Sequence, residues 1–197
     1  MLKMMTAILF PIVLGAGVTQ AEVLSQTEKA YAAVKTLSVE AKLTSKQYSA
    51  TAKIQWVAPN NLRVAGKSGF NSDYVLLVAK GKTSVFNAGN WETVGSPDTG
   101  IASVTGISGT LGNVVPSFLL KPKFGGYAVA NGNAIAPVEK VNGKPAYKLT
   151  NQFQEIWVDQ KTFFVVQTKI NAGTQPMVGV YGRTVVNAPI PASVFKK

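Results

Sequence analysis

Two stretches of strict apolar and polar alternation, Leu37 to Thr44 and Tyr48 to Trp56, constrain this chain more than any other feature. In the first, Leu37, Val39, Ala41 and Leu43 share one side and Ser38, Glu40, Lys42 and Thr44 the other, because successive strand residues face opposite sides of a sheet. In the second, Tyr48, Ala50, Ala52, Ile54 and Trp56 oppose Ser49, Thr51, Lys53 and Gln55. The polar pair Lys46-Gln47 between them marks a hairpin corner. A sheet with one apolar face must cover it. What the chain does turns on whether protein alone supplies that cover or a ligand shares it.

The rest of the chain supports one sheet with few helices. Glu22 to Lys35 sets Leu24, Thr27, Ala30, Tyr31 and Val34 on one helical face, with Glu22 and Glu28 early and Lys29 and Lys35 late, as the helix dipole favours. Strand patterns follow at Leu62 to Ala65, Tyr74 to Ala79, Thr83 to Phe86 after a turn at Lys80-Gly81-Lys82, and Trp91 to Val94. Alternation assigns Leu43, Ile54, Trp56, Leu62, Val64, Leu76, Val78 and Phe86 to the core side. Gly95 to Lys123 is rich in Gly, Ser and Thr and reads as a mobile loop leading into a short apolar helix at Val114 to Leu120, a candidate lid or a core plug. Later strands flank Asn142-Gly143, a pair that tolerates positive φ in a tight hairpin, at Val138 to Val141 and Ala146 to Thr150. Gln154 to Val158, Phe163 to Ile170 and Met177 to Val186 complete about ten strands, one N-terminal helix and one internal helix, an α+β arrangement.

Met1 to Ala21 reads as an export leader: Lys3 near the start, an apolar run from Ala7 to Val18, and small residues at Thr19-Gln20-Ala21. Its apolar run is shorter than the roughly 20 residues that span a bilayer. Cleavage before Glu22 leaves residues 22–197 as one domain, located in the periplasm or cell envelope. The chain holds 20 basic and 9 acidic residues, net +11, and losing Lys3 lowers this by one. That balance favours anionic neighbours, so an anionic membrane surface is a candidate partner. The basic residues are scattered singly rather than clustered with aromatics, which argues against nucleic acid.

Histidine and cysteine are both absent, which removes imidazole and thiol catalysis and the usual zinc sites. The acids lie apart; a glycosidase-like reading would need a tertiary pair such as Asp73 with Asp159, and no sequence feature supports one. The Gly125-Gly126 pair opens no phosphate-binding motif but precedes the strand-like Tyr127-Ala128-Val129. The chain therefore reads as a non-enzyme without a cofactor.

The leader, the helix ending near Lys35, the alternating strands and the segment Pro59-Asn60-Asn61-Leu62-Arg63-Val64 together resemble the LolA/LolB-like periplasmic lipoprotein-carrier superfamily. Leu76 to Lys82 followed by Val85-Phe86-Asn87, Ile156-Trp157-Val158-Asp159, and the closing Asn187-Ala188-Pro189-Ile190-Pro191 with Phe195 are similar to further family segments. Lys80 departs from the aspartate common before the turn glycine, and almost nothing follows Phe195. The resemblance implies an incomplete, strongly curved antiparallel β-barrel wrapped around the N-terminal helix and the internal lid helix. It also implies a hydrophobic cavity for acyl chains of a lipid or lipidated protein. Cavity contacts are expected from Trp56, Leu62, Leu76, Phe86, Phe118, Leu119 and Leu120. The family's lid-closing arginine matches Arg63, although alternation points that side chain away from the face of Leu62 and Val64.

The leading reading is a soluble envelope carrier or sensor of acyl chains, with a monomer favoured. Its rivals are a structural or adhesive envelope β-protein without ligand and a small outer-membrane β-barrel.

Overall fold

The computed structural model describes residues 17–120, 134–151, 153–172 and 175–197. The leader up to residue 16, the end of the expected loop at Lys121 to Lys123 and the strand-like Tyr127 to Val129 lie outside the described residues. Helix α1 spans Gln20–Ala32, opened by a reciprocal cap in which the Thr19 hydroxyl accepts the Glu22 N–H at 3.2 Å and Glu22 accepts the Thr19 N–H at 2.8 Å. That bond to the Thr19 backbone holds the Glu22 carboxyl below its ordinary range. The helix starts earlier than its charge pattern suggests, and its buried face runs through Val23, Thr27 and Tyr31, with Leu24 packed against the core beside them.

Strands β1 (Thr36–Thr44) and β2 (Ser49–Val57) pair without a bulge from Thr36 opposite Val57 to Thr44 opposite Ser49. Every apolar residue of the alternation from Leu37 to Trp56, apart from the half-buried Tyr48, is buried, so the hydrophobic pattern fixes the register. β3 (Asn61–Lys67), β4 (Asp73–Ala79), β5 (Lys82–Asn87) and β6 (Asn90–Val94) continue the meander. The β4–β5 turn sets Lys80 and Gly81 at φ 51° and 71°, the twist that a two-residue hairpin requires.

The segment expected to be a loop is helical. α2 (Pro97–Ser108), a 3-10 turn at Gly109–Gly112 and α3 (Val114–Leu120) follow one another. Ser96 caps α2 by accepting the Thr99 N–H at 3.2 Å, Pro97 occupies the first turn, and Ile101, Val104 and Ser108 are buried. Glycine disfavours an isolated helix by about 1 kcal/mol per residue. Here packing prevails, because a Cβ at Gly100 would lie 2.6 Å from Leu76 and 2.7 Å from Thr83. The missing side chain lets α2 approach the sheet.

The second half comprises β7 (Val138–Val141), β8 (Lys144–Thr150), β9 (Gln154–Asp159), β10 (Val165–Ala172), β11 (Gln175–Tyr181) and β12 (Val185–Val186). The expected last strand is thus divided in two, and β10 starts after Phe164. Among the described residues the strands form one 12-stranded antiparallel sheet in the order β6-β5-β4-β3-β2-β1-β11-β10-β9-β8-β7, with β12 also pairing β1, and β6 and β7 end the path, so the described sheet is open. Residues of one parity, including Leu37, Ile54, Leu62, Leu76 and Ile156, join the helices in one hydrophobic core on the inner face. None of the helices among the described residues is long and apolar enough to cross a membrane.

Candidate functional site

The inner face meets the helices in three zones. α2 lies against β4 and β5, the 3-10 turn against β1, β2 and β10, and α1 against β8, with α3 between α1 and β2. Helices α1 and α3 meet through an aromatic pair. Tyr31 of α1 stacks on Phe118 of α3 with ring centroids 5.1 Å apart and planes 6° from parallel, while Phe164 meets Tyr31 edge-on at 5.1 Å. The Tyr31 hydroxyl accepts the Val165 N–H at 3.2 Å, and burial pushes its pKa well above the ordinary phenol value. This seam is apolar except for one satisfied hydroxyl.

The 3-10 turn is held by polar groups. The buried Thr110 and Thr168 hydroxyls are 2.8 Å apart, and the Tyr181 hydroxyl donates to the Thr110 carbonyl at 3.2 Å. The Tyr48 hydroxyl donates to the Ile107 carbonyl at the end of α2. Beside it, Tyr74 donates to the Thr51 carbonyl at 2.8 Å, and burial pushes its pKa up to about 12. The stretch expected to be a mobile loop before the lid helix is therefore anchored to β10 and β11, while α3 itself carries the Phe118 ring contact and apolar packing. No sequence pattern points to these ties, because the partners stand 58 and 71 residues apart.

Of the residues expected to contact a ligand, Trp56, Leu62, Leu76, Phe118 and Leu119 are buried in one cluster between sheet and helices, and Leu120 packs against it. Phe86 is not among them. It stands opposite Val75 and Trp91, whereas Leu76 stands opposite Val85, so Phe86 lies on the outer face and pairs with Trp91 at 5.4 Å. The run Thr83 to Phe86 gives no parity of its own, since Thr83, Ser84 and Val85 are all buried. Arg63 stands opposite Gln55 and Leu77, also on the outer face, which separates it from the helices by the sheet. Trp157, of open parity in the sequence, faces outward and donates from its indole nitrogen to Glu139 at 2.8 Å.

Asp73 and Asp159 do not form a pair. Asp73 pairs with Lys67 at 3.2 Å at one end of the sheet, and Asp159 accepts the Lys161 and Thr162 N–H groups at the β9–β10 turn, the other end.

Comparison with known proteins agrees with this architecture. No family model and no curated protein matches the sequence. Among solved structures, the lipoprotein LppX from Mycobacterium tuberculosis is 14% identical and superposes with a TM-score of 0.50, covering 87% of this chain and 97% of that one. LprF from Mycobacterium bovis is also 14% identical, with a TM-score of 0.47 over 89% and 97% of the two chains. A LolA superfamily protein from Nitrosomonas europaea is 11% identical, with a TM-score of 0.41 over 91% and 98%. At such identities the shared property is the fold. The LppX superposition runs nearly the full length of both chains, and the fold they share is an open antiparallel sheet curved around helices.

Proposed function

We propose that this protein is an exported carrier or sensor that takes up the acyl chains of a lipid or lipidated protein between the inner face of its sheet and helices α1 and α3. The observation that carries this reading is the nature of the cover. The inner face is closed in part by α3, whose contact with α1 is the stacked Tyr31–Phe118 pair flanked by Phe164, while the 3-10 turn before it is fixed to β10 and β11 through Thr168 and Tyr181. Parting α3 from Tyr31 separates apolar surfaces and leaves the Tyr31 bond to Val165 in place, and the surface it exposes is suited to hydrocarbon. Each acyl methylene buried there is worth about 0.8 kcal/mol, so a chain of a dozen carbons offers on the order of 10 kcal/mol against the cost of parting the helices and ordering the ligand. The excess of basic residues brings the protein toward anionic surfaces, where each lysine adds about 1 kcal/mol.

A structural role without ligand is the second reading. It is favoured by the complete burial of Leu62 and Leu76 against the chain's own side chains. Titration with a fluorescent long-chain fatty acid separates the two. The carrier reading expects saturable uptake, weakened at least tenfold by Leu119→Glu, which places a carboxylate among apolar groups at a cost of several kcal/mol. A parent chain that takes up no fatty acid supports the structural role.

A further inference from the structure

The two edges of the sheet are built differently. β7 follows Pro137 and carries Lys140. Proline, lysine and covering segments are the usual ways in which an open edge is kept from pairing with another chain. β6, Asn90-Trp91-Glu92-Thr93-Val94, has none of them, and its first four residues are exposed. Among the described residues no strand lies beyond it, and no backbone bond outside the β5–β6 ladder engages Trp91 or Thr93.

The hairpin geometry identifies the free groups. Ala88 and Gly89 have φ of 49° and 87°, so the β5–β6 turn has two residues and Asn87 opposite Asn90 is the hydrogen-bonded closing pair. Bonded and non-bonded pairs alternate along an antiparallel ladder, which makes Phe86 with Trp91 and Ser84 with Thr93 the non-bonded pairs. The N–H and C=O of Trp91 and Thr93 therefore point away from β5, about 7 Å apart, the repeat of an extended chain. Such a row is complementary to one kind of partner, another strand.

The side chains narrow its chemistry. On the outer face Trp91 packs beside Phe86, with the Lys197 ammonium 5.3 Å from its ring centroid. On the inner side the exposed Glu92 is the strand's one charge, and no ion pair among the described residues engages it. A second copy of β6 centred on this strand would oppose Glu92 to Glu92, a destabilising pair. We propose that the free edge of β6 is a docking site for an extended peptide of another protein, with apolar side chains beside Trp91 alternating with basic side chains beside Glu92. The main chain supplies the attachment and Glu92 the selectivity. This site is independent of the interior, and it stands or falls apart from acyl binding.

The test follows amide hydrogen exchange of Trp91 and Thr93 in the full chain, with a blocked eight-residue peptide alternating valine and lysine. Expected is a saturable slowing of both amides at about 1 mM peptide, with β1 and β2 unchanged. Thr93→Pro, which removes an outward N–H and no ladder bond, should abolish the slowing. Glu92→Lys keeps the backbone intact should the proline variant not fold; it should weaken the lysine peptide about threefold and strengthen a valine–glutamate peptide. Unchanged exchange at that concentration overturns the proposal. So does slowing that rises with protein concentration in the absence of peptide, together with a dimer in sedimentation, which makes a second copy the occupant.

Discussion

The two halves of the sheet protect their outer faces by different means. On β3 to β5 the outer face is covered in part by chain: Leu77 and Ser84 are buried although their parity is opposite to that of Leu76, and the C-terminal 3-10 turn Ala192–Phe195 lies on β3 and β4. That tail is tied to the start of β1, where the Thr36 hydroxyl donates to the Ala188 carbonyl at 2.6 Å and Lys35 N–H to the Asn187 side chain at 3.1 Å. On β7 to β10 the outer face carries an ion-pair network beside a small apolar cluster of Val141, Ala146 and Trp157. Lys148 lies 2.5 Å from Glu139 and 3.8 Å from Glu155, Lys169 lies 3.3 Å from Glu155, and Trp157 sits under the Lys148 ammonium while donating to Glu139. Burial should govern stability in the first half, whereas in the second the ions sit near solvent and add little to what the inner face provides.

The largest expected effect lies beneath the second half. Tyr31→Ala removes a stacked ring, an edge contact and the acceptor for Val165, and should cost about 3–5 kcal/mol in urea unfolding. In the first half, Leu77→Ala should cost about 2–3 kcal/mol. Ending the chain after Val186 should cost a similar amount and leave a later Leu77→Ala almost without effect, since both remove the same contact. Additive losses would show that the tail does not cover Leu77. Thr168→Val keeps the shape but strands the Thr110 hydroxyl, for about 1–2 kcal/mol.

The smallest effect is expected in the ionic patch. Glu139→Gln should cost less than about 1 kcal/mol and less still in high salt. Hydrogen bonds from Lys148 and Trp157 hold the Glu139 carboxyl below its ordinary range, and the bond to Glu139 raises the Lys148 pKa. A depressed acid stabilises the fold above its ordinary pKa and loses that contribution as pH falls through the folded value. A raised lysine does so below its ordinary pKa and loses it as pH rises through the folded value. The patch should thus contribute at neutral pH and fade toward both extremes, an effect absent from Glu139→Gln in pH-dependent unfolding.

The same contrast explains what the sequence made legible. β1 and β2 alternate because one side is solvent, so burial leaves a period of two, and Leu37 to Trp56 can be placed from pattern alone. β5 is covered on both sides, and its period vanishes; Phe86 was thereby expected on the wrong face. α2 was hidden for a related reason. Its glycines argue against a helix locally, and only the approach of Gly100 to Leu76 and Thr83, a tertiary fact, explains them. The Tyr31, Phe118 and Phe164 seam and the Thr110–Thr168 tie join residues too far apart in sequence to leave a local signal. The apolar residues lining the inner face were legible, and the way the helices are fastened to it was not.

Acyl binding can be read without a probe by mass spectrometry of an organic extract of the protein purified without detergent from its native host. Expected is a long-chain lipid or acylated fragment in stoichiometric amount, lost from the Leu119→Glu variant. A lipid-free extract, from a protein that also takes up no fatty acid when purified, would contradict it.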